Sequence, residues 1–159
     1  MKIDLASASA LRAVIENDLE AITRTVEALS ALPMETRTET ETIAAAYHLH
    51  NLYNALENAF DQISRTFENH VKDLSRWHQE LLAKMFLNVP PLRPAVLPSA
   101  ARPFLHDLCG FRHIFRHSYD YPLEAYKIRD LRARWRSEGP AILAALKSFA
   151  DALPTSGTP

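Results

Sequence analysis

Residues 47–67 read YHLHNLYNALENAFDQISRTF. Leu49, Leu52, Leu56, Phe60, Ile63 and Phe67 step through this stretch by three and four, which lines them up on one face of an α-helix. Upstream, Leu11, Ile15, Leu19, Ile22, Val26 and Leu29 repeat the pattern, in a helix that starts near Ser7 or Ser9 and ends before Pro33. The Thr/Glu-rich residues 35–42 between them offer several N-caps. Downstream, Val71, Leu74, His78, Leu81 and Met85 continue as a third helix or as an extension of the second.

Residues 88–98 contain Pro90, Pro91, Pro94 and Pro98, so they form a stiff surface connector and not a helix. Ser99 starts the next helix, with Pro103 tolerated in its first turn, and Pro122 stops it at about Ser118. The last helical segment, residues 123–153, is kinked or split by Gly139-Pro140. No segment alternates with the period of a strand, and only three glycines occur. The expected fold is all-α: an up-and-down helical bundle of four main helices plus a short extra helix. Residues 1–153 form the single domain and 154–159 a flexible tail.

A chain of 159 residues buries about 70% of its extended surface, enough for a core without staples. The single cysteine, Cys109, excludes a disulfide framework. The N-terminal residues lack the apolar core of a signal peptide, and no apolar run approaches the roughly 18 residues of a membrane span. The expectation is a cytoplasmic protein without membrane contact. Net charge is −1, but it is unevenly spread. Residues 15–80 carry 12 acids against 5 Lys/Arg, and residues 81–136 carry 10 Lys/Arg against 4 acids. The basic half either draws in an anionic partner or pairs with the acidic half.

The basic half contains Arg112-x4-His117-x-Tyr119, within FRHIFRHSYDY at residues 111–121. Random placement of 13 Arg, 7 His and 5 Tyr would give about 0.02 copies of this spacing. Arginine forks onto phosphate, histidine moves protons near neutral pH, and a tyrosine hydroxyl two residues on is a third catalytic group or a place for modification. The bland alternative is a polar helix end whose cations answer the helix dipole. At 100° per residue, Phe104, Leu108, Phe111 and Phe115 face the core and His106, His113 and His117 the opposite side, with Arg112 and Arg116 as a flanking row. Arg112 and His117 then diverge by about 140°, so they converge only if the helix unwinds near His117 or a second copy completes the site.

Zinc could be held by His113 and His117 with His106 and Cys109, but no second ligand cluster completes a tetrahedron, and His48 and His50 point apart. No metal and no other cofactor is expected. His70 and His78 read as surface or structural histidines.

With these residues in place, the chain resembles the HEPN superfamily and within it the HepT-like toxins, whose signature Arg-x4-His-x-Tyr lies near the end of the third core helix. The helix YHLHNLYNALE at residues 47–57 is similar to the second helix of such domains. A departure is His113, where a small polar residue often follows the motif arginine. The resemblance implies a metal-independent endoribonuclease toxin, a homodimer in which two motifs line one cleft, and an RNA substrate that is tRNA or mRNA. It also implies a minimal nucleotidyltransferase antitoxin that attaches AMP to Tyr119. RNA supplies its own nucleophile, so His117 serves as general base or acid and Arg112 stabilises the pentacovalent phosphate. His113 and Arg116 would hold neighbouring phosphates or polarise the site, and Glu57 would orient Arg112 or be merely a solvated or capping carboxylate. The alternative is a non-catalytic interaction module that binds a nucleotidyltransferase or nucleic acid through the same residues.

Overall fold

The computed structural model describes residues 1–68, 77–117 and 122–155. The described residues form five α-helices and one 3-10 turn: α1 Leu5–Ala31, α2 Glu39–Phe67, α3 Trp77–Met85, the turn Ser99–Ala101, α4 Arg102–Arg116 and α5 Ala125–Asp151. Among the described residues there is no strand, only a lone bridge between Val89 and Arg93. Helices α1, α2, α4 and α5 run alternately up and down, and α3 is the short extra helix. The long helices form one core in which Ile15, Ile22, Leu49, Leu52, Leu56, Phe60, Ile63 and Phe104 are fully buried.

The cap of each helix sets its first residue. α1 begins at Leu5, earlier than the serines suggested, because the Asp4 carboxylate accepts from the Ser7 backbone N–H at 2.9 Å. Thr38 caps α2 through a reciprocal box, its hydroxyl accepting from Glu41 N at 3.1 Å while Glu41 accepts from Thr38 N at 3.2 Å. Ser99 starts a 3-10 turn and not α4 itself, which follows with Pro103 in its first turn.

α5 is not split at Gly139-Pro140. Trp135 lies across Gly139 so closely that a Cβ there would stand 2.7 Å from the indole Cε2. Two arginines tie α5 to α1. Arg132, buried on α5, donates to the carbonyls of Leu29, Leu32 and Pro33 at 2.9, 2.8 and 2.6 Å and so caps the end of α1. Arg12 of α1 returns the arrangement, donating to Ala150 at 3.1 Å and to Leu153 at the end of α5.

The proline-rich connector is less superficial than expected. Val96 and Leu97 are buried, and their N–H groups bond the Met85 carbonyl at 2.9 and 3.1 Å. The Arg93 side chain is fully enclosed, pairing with Glu68 and donating to the carbonyls of Lys84 and Leu87. The two electrically opposite halves meet here and elsewhere, since Arg93–Glu68, Lys84–Glu68, Arg112–Glu57 and Arg129–Glu35 all join a basic-half residue to an acidic-half one. Much of the charge asymmetry is therefore answered within the chain.

Candidate functional site at the end of the fourth helix

α4 carries the motif arginine into the bundle. Its apolar stripe, Phe104, Leu108 and Phe111, seats it against the core, which turns Arg112 toward α2 and α3. Arg112 is buried, with 11% of its side chain exposed, and its fork is held at all three nitrogens. Nε donates to Asn54 Oδ1 at 2.9 Å, Nη1 meets His78 Nε2 at 3.0 Å, and Nη2 pairs with Glu57 Oε2 at 3.2 Å. The first two contacts are hydrogen bonds and the third is an ion pair, so at least two of the five N–H groups are committed within the chain.

The chemistry of each partner fixes the protons. A guanidinium only donates, so His78 Nε2 accepts and the imidazole is neutral. Its proton then sits on Nδ1, which donates to Glu57 Oε1 at 2.6 Å. Asn54 accepts from Arg112 through oxygen, so its amide nitrogen donates to His50 Nε2 at 2.9 Å. His50 stacks on Phe115 at 4.9 Å, with Nδ1 buried and lacking a hydrogen-bond partner. Burial, with the Arg112 and Arg116 charges, pushes the His50 pKa down. Burial pushes the Glu57 carboxyl up, and Arg112 and His78 pull against that. Tyr53 and Cys109 lie behind the pair, and desolvation raises the pKa of each.

His117 lies elsewhere. α4 ends at Arg116, and His117 follows as its C-cap with φ −115° and ψ 22°. It is exposed, its ring stacked on His113 at 4.5 Å, and its Nδ1–H donates to the His113 carbonyl at 2.8 Å. In the neutral form this leaves the Nε2 lone pair facing outward. His106, His113 and His117 share the outer side of α4, as their spacing requires, beside a cavity of about 670 Å³ lined in part by His106, Gly110, Ile114, Tyr126 and Lys127. Nothing lies within 4 Å of where a Gly110 Cβ would stand, so the floor of this groove is open.

The structure thus unites Arg112 with Glu57 and pairs His117 with His113, the first pair buried against α2 and the second exposed at the end of α4. Arg112 and Arg116 are not one flanking row: the first is turned inward and the second is exposed. Tyr119 lies outside the described residues. Sequence reasoning missed Asn54 and His50; His78, expected as a surface or satisfied structural residue, is hydrogen-bonded at both ring nitrogens and bridges Glu57 and Arg112. The available signal was on α2, where His50, Asn54 and Glu57, at spacings of four and three, form a polar row beside an otherwise apolar face. Among the described residues, no three His, Cys, Asp or Glu stand together as metal ligands. No described helix is long and apolar enough to cross a membrane.

None of the curated proteins and none of the solved structures matches the chain significantly. A family model described as HepT-like protein matches residues 44–153, which include most of α2, all of α3 to α5 and the whole Arg112-x4-His117-x-Tyr119 motif. That span is more than two thirds of the chain, and with the all-helical bundle it shows that the protein belongs to the HepT-like family of HEPN domains.

Proposed function

We propose that the chain is a metal-independent endoribonuclease toxin that cleaves cytoplasmic RNA, tRNA or mRNA, by attack of the 2′-hydroxyl on the adjacent phosphate. HepT-like membership, which points to a HEPN-type toxin or nuclease module, supports this reading. The observation that carries it is the pairing of roles in the motif: a buried, oriented guanidinium at Arg112 and, five residues on, an exposed imidazole with its Nδ1–H tied back. In the reaction the 2′-oxygen bonds to phosphorus and the bond from phosphorus to the 5′-oxygen breaks. His117 Nε2 takes the proton of the nucleophile or returns one to the leaving oxygen. Arg112 neutralises charge on the pentacovalent phosphate, with Glu57 orienting it. His113 and Arg116, both exposed, hold flanking phosphates.

Because Arg112 and His117 point apart in one chain, the productive site is composite, Arg112 of one protomer facing His117 of a second across a homodimer cleft. A minimal nucleotidyltransferase antitoxin neutralises the toxin by transferring AMP from ATP to the Tyr119 oxygen, with release of pyrophosphate. The burial of Arg112 also favours a second reading, in which the motif binds a nucleotidyltransferase or nucleic acid without cutting.

The test is RNA cleavage by the purified protein in EDTA, with His117→Ala alongside and intact masses recorded to detect AMP. Fragments with 2′,3′-cyclic phosphate and 5′-hydroxyl ends from wild type alone are expected. A 3′-hydroxyl product, or unmodified protein that cuts no cellular RNA, sinks the mechanism and favours the binding module.

A further inference from the structure

We propose that His78 is the positioning residue of the Arg112 site, a neutral imidazole bridge between Glu57 and the guanidinium whose protonation releases Arg112 from the position in which it meets phosphate. The catalytic consequence rests on the ribonuclease reading, whereas the geometric part stands without it. Glu57 Oε1 lies 2.6 Å from Nδ1 and Arg112 Nη1 3.0 Å from Nε2, so the two ring nitrogens face an acceptor and a donor. Only one tautomer satisfies both, and the carboxylate selects it, as a partner on the far nitrogen does for any oriented histidine. With the hydrogen bond to Asn54 at Nε and the ion pair to Glu57 at Nη2, this third contact fixes the plane of the guanidinium.

Exposure assigns the trigger. Side-chain accessibility is 7% for Glu57, 11% for Arg112 and 36% for His78, so His78 is the member of the triad most open to solvent. A second proton on the ring would set an Nε2–H against the Arg112 N–H and a cation against a cation. The charged groups in contact with His78 among the described residues are Glu57 from α2 and Arg112 from α4, and Arg116 acts on Glu57. His50, Tyr53 and Cys109 are the other titratable neighbours of Arg112, and burial favours the neutral form of each. On α3 itself the neighbour is the uncharged Trp77, its ring 4.6 Å from the imidazole. A purely structural histidine would hold α3 to α2, but it would not couple its proton to Arg112.

The experiment follows the Arg112 Nε–H resonance from pH 5 to 8 by 15N NMR, assigned by its loss in Arg112→Lys. It uses wild type, His78→Ala, His78→Gln and His117→Ala. The glutamine keeps an acceptor for Arg112 without titrating, and it serves if the alanine variant is poorly folded. Wild type and His117→Ala should show one pH-dependent step between pH 5 and 8 that is absent in His78→Gln. In cleavage assays at pH 7.5, His78→Ala should lower kcat at least about tenfold with KM within about twofold, and His78→Gln should stay within about threefold of wild type. An unchanged Arg112 titration in His78→Gln, or wild-type kcat in His78→Ala, overturns the proposal. If wild type cuts no RNA, the ribonuclease reading fails by itself and the Arg112 resonance alone decides the role of His78.

Discussion

Arg112 and Asp18 show how much a residue's meaning depends on what faces it. Arg112 is a buried cation made tolerable by a carboxylate, an amide oxygen and an imidazole nitrogen, and removing any of these leaves a donor uncompensated. Asp18 on α1 is also buried, but its partner is the neutral amide of Asn58, which reaches its two oxygens at 3.1 and 2.8 Å. Desolvation holds its pKa above the ordinary 3.8 and the Asn58 bonds only partly offset that. A carboxyl raised in the native state contributes stability that is complete below its unfolded pKa and is lost as pH rises through its folded one. The stability of wild type relative to Asp18→Asn should therefore decline from pH 3.8 upward. Urea unfolding of both proteins at pH 4, 5, 6 and 7 measures this, and parallel curves would show that Asp18 carries no such burden.

At the scale of the helices, α5 contradicts its own composition. Gly139-Pro140 reads as a break, yet the helix continues, because the Trp135 indole packs over the bare Gly139 backbone and Ile142, Leu146 and Phe149 bury the turns beyond. Propensity alone says that Gly139→Ala should gain about 1 kcal/mol. The Cβ would meet a rigid ring at 2.7 Å, and such overpacking costs about 1–3 kcal/mol. Packing wins: the variant should melt a few degrees lower, and a higher Tm by calorimetry would show that Trp135 moves freely. The paired arginine caps act on the same scale. Arg132 and Arg12 each close the carbonyl end of the opposite helix, where a cation also meets the negative pole of the dipole.

For the whole molecule, the question is where Arg112 finds His117. The fold points one inward and the other outward, so a composite dimer site makes a prediction that a single-chain site does not. Arg112→Ala and His117→Ala protomers should each be inactive alone. Mixed and re-equilibrated, half the dimers pair one of each, and one of their two sites is intact, restoring about 25% of wild-type cleavage. No recovery on mixing, with exchange verified by mass, would place both residues in one protomer's site. The exposed Ile114 and Tyr126 beside the histidine row lie along the same face of α4 and α5.

The heptad-like steps of α1, α2 and α4 were legible in the chain because apolar periodicity is a local property that burial then obeys. So was the motif, whose residue types and spacing are written in eleven consecutive letters, and so was the divergence of Arg112 from His117, which follows from helix geometry. Glu57 could be singled out from α2 as a partner for Arg112, but its role rested on a contact the sequence does not contain. The rest depended on distance in the chain. His78 lies 21 residues from Glu57 and 34 from Arg112, and only the packing of α3 against α2 and α4 makes it the bridge between them. Asn54, 58 residues before Arg112, and Arg132, about 100 residues beyond the carbonyls it caps, are equally silent in sequence. A polar group shows its partner only when the helices close over it, and there the cost of leaving a buried donor unmet selects the pairing.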